Sequence, residues 1–328
     1  MAMEYQLVGG NYQVIKRIGG GAFGDIYGGI CVTDNTEVAI KIESHESKCP
    51  QLMNEANVYR MLSNSPGFPT FLYYGSEEKF KALVIELLGP SLHDLFIKCN
   101  HRFSLKTILM LADQQMARLE AIHTLGYVHR DIKPENFLMG LGDKSKKVYL
   151  IDFGMSRQFK NPKTQKHIRF RRVGSVFGTL RYSSLRAQKG EEQSRRDDLE
   201  SLMYCMIYFY KGKLPWIGLT AANETQKMEL IMEKKKSSKI DDLCDAFPPM
   251  IVMLMQYIRN LRFEEDPDYV YMRQMLRIVF LDLNHVYDLN FDWTQLREGR
   301  KDRSTGQEPI EQKSTSSLYY TVSENAVF

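Results

Sequence analysis

From residue 12 to residue 44 apolar and polar positions alternate, in YQVIKRI, DIYGGICV and EVAIKIES. That two-residue period belongs to half-buried strands, and the turn-forming TDNT between the last two predicts an antiparallel meander. The period then changes. In QLMNEANVYRMLSN, residues 51 to 64, the apolar positions 52, 53, 58, 61 and 62 predict an amphipathic helix that SPGFP terminates. Two further strands fit TFLYYGS and KALVIELL. From SLHDLFIKC onward helical spacing dominates, as in SLKTILMLADQQMARLEAIHTLG (104 to 126), DDLESLMYCMIYFYKG and PPMIVMLMQYIRNL. A strand-rich first quarter before a helical remainder predicts an α+β chain of two lobes. The small antiparallel-sheet lobe spans 1–87, with a short N-terminal extension, and the larger, mostly helical lobe spans 88–297. After Trp293 the periodicity fades into REGRKDRSTGQEPIEQKSTSS, so 298–328 read as a flexible polar tail.

Composition narrows the class. Apolar residues make up 43% and charged residues 26% of the 328, ordinary values for a chain that buries a core. The net charge of +4 is too small to argue for nucleic acid, so any basic character is local. Cysteines 31, 49, 99, 205 and 244 are scattered and form no C-x-x-C pair, which reads as a reducing compartment with neither disulfide framework nor zinc site. The opening MAMEYQLVGGNY lacks the basic-then-apolar pattern of a secretory leader, and LMYCMIYFY is about half a membrane span. The expectation is a soluble monomer of the cytoplasm, with the nucleus also open, and without nucleic-acid or membrane partners.

The stretch KRIGGGAFGDIYGG carries a G-x-G-x-x-G spacing at Gly19, Gly21 and Gly24. It fits two phosphate-binding architectures and also a plain glycine-rich hairpin. A dinucleotide fold needs a helix to open at the last glycine. Here Asp25-Ile26-Tyr27 follows, a strand-like run, and the next strand carries Lys41 in VAIK. A glycine hairpin over phosphates with a lysine on a neighbouring strand is the kinase arrangement. In that case backbone N–H groups approach phosphate oxygens and Phe23 caps the tip. VHRDIKPENFLMG (128 to 140) and then LIDFGMS complete the order of the protein-kinase signature set.

The chemistry assigns roles. Lys41 would hold the α- and β-phosphates of ATP, with Glu55, mid-helix, fixing its side chain; a solvated helix face is the plainer alternative for Glu55. Asp152 and Asn136 offer oxygen ligands to Mg2+. Asp131 would accept or orient the acceptor proton, and Lys133 would reach the γ-phosphate. His129 reads as packing against the D-F-G segment, Arg130 as the residue that would normally receive an activation-segment phosphate, and Asp198 as an anchor for the catalytic-loop backbone.

The chain further resembles the casein kinase 1 family of serine/threonine protein kinases. ELLGPSLHDLF (86 to 96), HRDIKPENFLMGLG (129 to 142), QSRRDDLESL (193 to 202), LPWIGL (214 to 219) and LRFEEDPDYVYMRQML (261 to 276) carry the likeness, as does GTLRYSSLR where most kinases have A-P-E. The resemblance covers about 12 to 295. It implies the two-lobed kinase fold, ATP and magnesium, and serine or threonine acceptors near acidic or already phosphorylated residues. It places backbone groups of Glu86 and Leu88 at the adenine, Ile85 behind it, Asp94 near the ribose, and Ile18, Ile26 and Ala39 around the base. It also implies activity without activation-loop phosphorylation. Arg157, Lys160, Lys163, Lys166, Arg169, Arg171 and Arg172 form a basic run, read either as an attractor of acidic substrate segments or as a solvated loop.

Departures from the family pattern concern substrate anions. Arg181 and Gly218 take two places of its phosphate pocket, but Glu224 falls where a lysine is expected, with Lys227 a turn away as partial compensation. Gly174 also replaces a basic residue. A weaker preference for phosphate-primed sites is therefore expected. Two other classes share parts of this pattern: a pseudokinase that binds nucleotide without chemistry, and a small-molecule kinase. The first usually loses one of Lys41, Asp131, Asn136 and Asp152; the second is disfavoured by the R-D-x-K-P-E-N loop and RRDDLES.

Overall fold

The computed structural model describes residues 6–21, 24–63, 65–174 and 177–294. The first lobe is one antiparallel sheet of six strands: β1 (Leu7–Val8), β2 (Tyr12–Gly21), β3 (Gly24–Cys31), β4 (Glu37–Ser44), β5 (Phe71–Ser76) and β6 (Phe80–Glu86), in spatial order β1-β2-β3-β4-β6-β5. Helix α1 (Leu52–Met61) crosses from β4 to β5. The alternation in the sequence is realised as two unlike faces. One buries Val14, Tyr27, Val38, Ile40, Ile42, Phe80, Ala82 and Val84 as a separate small core. On the other, cross-strand partners line up as Gly19–Ile26–Lys41–Leu83 and Gly28–Ala39–Ile85. Directly opposed residues share a face, so the glycine strand, Lys41 and Ile85 look the same way.

The second lobe is helical, with α2 (Leu92–Lys98) and α3 (Leu105–Thr124), then short strands β7 (Tyr127–Val128), β8 (Phe137–Met139), β9 (Val148–Leu150) and β10 (Arg157–Gln158). After these come α4 (Leu185–Gln188), α5 (Arg195–Lys211), α6 (Glu224–Ser237), α7 (Ile240–Leu243), α8 (Pro249–Asn260) and α9 (Tyr269–Asp282). Every residue of α5 from Arg195 to Phe209 is buried. A helix enclosed all round is the centre of its lobe, and its charged first turn is tolerated because each charge is met by a partner, as shown for Asp198 below. No helix among the described residues is long and apolar enough to cross a membrane.

The lobes join after β6. Gly89 N–H donates to the Met139 carbonyl (2.8 Å), and Met139 N–H donates to the Pro90 carbonyl (3.0 Å), so this connection is stitched to β8. A Cβ on Gly89 would approach the Met139 and Gly140 carbonyls to 3.0 Å, which explains a glycine there. Sequence periodicity located all the sheet strands except β1, which is two residues long and paired only with β2. Phe23 and the tail 298–328 lie outside the described residues.

Candidate active site

Three devices converge on the space beneath the lysine face of the sheet. The first is α1. Lys41 Nζ lies 2.7 Å from Glu55 Oε2 and 2.9 Å from Asp152 Oδ1, so one ammonium bridges a carboxylate of each lobe. Glu55 is 2% exposed, which discards the solvated-face alternative. Burial works against the Lys41 ammonium, but Asp152 and Glu55 outweigh it and hold its pKa above the ordinary lysine value. Burial pushes the Glu55 carboxyl up to about 7 against the pull of Lys41. Burial raises Asp152 as well, yet Lys41, followed by Lys133, brings it down to about 2. The pair is thus dominated by a fixed ammonium and an ionised Asp152.

Sequence reasoning missed what fixes α1. Its N-cap position is Gln51, whose side chain makes no cap bond. Instead Glu43, two residues past Lys41 on β4, accepts from the N–H groups of Gln51 (2.6 Å) and Leu52 (3.0 Å). A carboxylate at a helix N-terminus satisfies orphan donors and complements the dipole. At the other side, Asn54 Nδ2 lies 3.1 Å from the Phe153 and Ser156 carbonyls, and Asp152 N–H donates to Tyr59 Oη at 3.1 Å. The Tyr59 and His129 rings meet Phe153 edge-on at 5.0 and 5.3 Å. Helix α1 is thereby docked on the D-F-G segment.

The second device is the loop before β8. Asp198 on α5 accepts from the backbone N–H of His129 (2.7 Å) and of Arg130 (2.9 Å), the anchoring role expected of it. Arg130 has φ +70 and Asp152 φ +66, left-handed conformations for two non-glycine residues. Such conformations persist only where surrounding bonds determine them. His129 Nδ1 accepts from Asp131 N–H (3.2 Å) and its Nε2 donates to the Ile151 carbonyl (3.0 Å), so both nitrogens are structural. The β8–β9 hairpin then returns the chain, with Ile151 N–H on the Asn136 carbonyl at 3.0 Å, which sets Asn136 and Asp152 side by side in space.

The third device closes on Asp131. Its Oδ1 accepts from Thr179 N–H (2.8 Å) and Thr179 Oγ1 (2.9 Å), while Lys133 Nζ lies 2.7 Å from Oδ2. Burial disfavours the Lys133 ammonium, but the Asp131 carboxylate outweighs it and keeps the pKa above the lysine norm. Gly178 makes the approach possible: at φ +90, a Cβ there would sit 2.3 Å from the Arg130 carbonyl. The motif GTLRYSSLR gives Thr179 no role of its own, because its contact with Asp131 spans 48 residues of chain.

Asn136 donates Nδ2 to the Asp131 carbonyl at 2.8 Å, which leaves its Oδ1 for another partner beside the Asp152 carboxylate. Two oxygen donors suit a hard cation that takes its other ligands from phosphates and water, so these residues fit magnesium. Among the described residues no group of three or more His, Cys, Asp and Glu could hold a metal unaided.

The remaining expected nucleotide residues fall on the same face. Ile18 Cγ2 is 3.3 Å from where a Gly28 Cβ would be, placing Ile18 over the row Gly28–Ala39–Ile85. Gly24 has φ +139 and abuts the Ile42 carbonyl, so its conformation demands glycine; Gly19 is uncrowded, and Gly21 ends β2. The Glu86 N–H is committed to the Thr70 carbonyl (3.0 Å) and its carboxylate to Lys144 (2.6 Å), so a contribution to adenine would fall to its carbonyl. Leu88 follows in the connection between lobes. Asp94 accepts from Ser91 N–H at 3.0 Å in the capping box of α2, a local duty the sequence reading did not give it.

The substrate-side residues are less gathered. Arg181 is half-buried over the Tyr182 and Tyr208 rings, 5.8 and 6.0 Å from their centroids. Trp216 Nε1 donates to the Arg181 carbonyl (2.8 Å), tying the loop that holds Gly218 to that segment. Glu224 is the exposed first residue of α6, and Lys227 points its ammonium at it, 3.9 Å away. The basic run divides. Arg157 and Arg171 lie 3.0 and 2.8 Å from the carboxylate of buried Glu192, while Lys163, Lys166, Arg169 and Arg172 are exposed. Arg130 directs Nε to the Met155 carbonyl (2.6 Å) and stacks on Phe177 at 4.5 Å, so protein groups already occupy the guanidinium.

A two-lobed α+β chain whose cleft sets a bridged lysine against a held aspartate has the makings of a phosphotransferase. The family model of the protein kinase domain matches residues 12–275. The chain belongs to that family.

Proposed function

We propose that the chain is a serine/threonine protein kinase of the casein kinase 1 type, transferring the γ-phosphoryl of ATP to hydroxyls near acidic residues. The observation that carries this reading is the joint placement of Lys41 between Glu55 and Asp152 and of Asp131 between Thr179 and Lys133. Lys41, rigid and charged, holds the α- and β-phosphates. Asp152 and Asn136 would hold magnesium, which would supply charge neutralisation to the phosphates. Asp131 orients the acceptor hydroxyl and takes its proton as the bond forms, and Lys133 faces the charge that develops on the transferred group. Ile18, Ile26, Ala39 and Ile85 provide an apolar slot for the base, and Gly19, Gly21 and Gly24 the backbone over the phosphates.

Acidic substrate segments are drawn by Lys163, Lys166, Arg169 and Arg172, the members of the basic run that face solvent. Phosphorylated ones are favoured less than the family resemblance implies, because Glu224 repels a phosphate dianion and Lys227 only offsets it. The test is purified protein with labelled ATP, magnesium and casein, followed by phosphoamino-acid analysis. Label on serine and threonine is expected; label on tyrosine alone, or none, contradicts the assignment. One peptide offered with and without a phosphoserine three positions before the acceptor should show kcat/KM values within about tenfold, the reach of one exposed charge pair. A much larger primed preference contradicts the role given to Glu224.

A further inference from the structure

Helix α6 hides one of its lysines. Lys234 and Lys236 are exposed, but Lys235 between them is 0% exposed. Its ammonium lies 2.8 Å from the Leu180 carbonyl and 2.6 Å from the Ser183 carbonyl. The faces of Trp216 and Tyr204 enclose it, with centroids 5.0 and 5.2 Å from Nζ. An ammonium is not buried without large compensation; here it comes from two backbone dipoles and two ring faces. Both carbonyls belong to the segment that begins at Thr179, whose N–H and hydroxyl hold Asp131. Between them, the Arg181 carbonyl accepts from Trp216 Nε1 at 2.8 Å. One block of α6 and the Trp216 loop thus grips three carbonyls of the chain that leads away from the proton acceptor.

We propose that Lys235 is a positioning residue for the protein substrate: by capturing the Leu180 and Ser183 carbonyls it fixes from below the segment whose partly exposed residues, Leu180 and Arg181, form the surface on which the substrate backbone rests beside its acceptor hydroxyl. This rests on the protein-kinase reading above. Lys41 and the glycine strand, on the nucleotide side, lie in the other lobe. The charges facing Lys235 are Glu200, which favours the ammonium, and Arg259, which opposes it. Tyr204 stands between them, donating to Glu200 at 2.6 Å and accepting from Arg259 at 2.9 Å. Burial pulls Lys235 down to about 7, so the groups around it offset only part of the lost hydration of the ammonium.

The test separates peptide from nucleotide kinetics. Lys235→Met keeps most of the volume and leaves both carbonyls without their cation. Its KM for an acidic peptide should rise about tenfold or more, the consequence of one lost buried charge-assisted hydrogen bond, with KM for ATP unchanged within about twofold. Trp216→Phe keeps a ring under the ammonium but removes the N–H to Arg181, and should show the same split in smaller measure. Lys236→Met, altering an exposed neighbour, should change neither. Peptide KM unchanged in both Lys235→Met and Trp216→Phe overturns the proposal, and so does a parallel loss of ATP and peptide binding with a lowered unfolding midpoint. If Lys235→Met does not fold, Trp216→Phe decides by the same split. Failure of the parent to phosphorylate casein defeats the kinase reading itself, whereas transfer with an unmoved peptide KM defeats only the role of Lys235.

Discussion

Glu43 and Glu55 illustrate how differently two carboxylates can announce themselves. Glu55 was legible because it sits mid-helix between two predicted strands, where a lysine on the preceding strand needs a partner. Glu43 was not, since it caps α1 from outside the helix and leaves no local capping signature at Gln51. His123 was equally hidden. Its Nε2 lies 2.9 Å from Asp198 Oδ2 and its Nδ1 meets the Tyr269 hydroxyl, three partners brought together from α3, α5 and α9. Burial holds the His123 pKa below the ordinary histidine value. The sign follows: as pH falls through about 6.5, the unfolded chain takes up a proton that the folded chain refuses, so stability is lost on acidification. Denaturant unfolding at about pH 7.5 and about pH 5.5 should show that loss, and His123→Gln should lessen it. An equal or steeper loss in the variant contradicts the assignment.

At the scale of elements, residues 157–173 are held by pairings within the chain. Strand β10 pairs with β7, Val173 N–H donates to the Gly190 carbonyl at 2.7 Å, and Glu192 receives Arg157 and Arg171. Glu192 is 1% exposed, so a buried carboxylate is met by two arginines that reach it from the solvent side. The basic run contains no acidic residue, so nothing within it indicates a partner. The carboxylate that claims two of its members arrives from beyond the run. Glu192→Gln should loosen the segment, because it removes the one carboxylate that Arg157 and Arg171 share. Faster amide exchange over residues 157–173 and a raised KM for peptide are expected, with ATP binding retained. Unaltered exchange there contradicts the clamp.

For the whole molecule, periodicity carried the fold because both lobes bury faces of different period: alternate residues in the sheet, an enclosed helix in the larger lobe. Local motifs carried Lys41, Asp131, Asn136 and Asp152 because backbone geometry fixes their spacing within single loops. What the sequence did not reveal are the joins across long chain separations, namely Thr179 on Asp131, Tyr59 on the Asp152 backbone and Asp198 beneath Arg130. These joins make one cleft of two lobes: the ammonium of Lys41 reaches the Asp152 carboxylate, and Thr179 and Lys133 hold Asp131. Asp131→Asn tests that arrangement most directly, since it keeps the side-chain shape and removes the proposed proton acceptor. Turnover on casein should fall on the order of 10²- to 10⁴-fold, with ATP affinity within about twofold of the parent. Undiminished turnover in that variant contradicts the account.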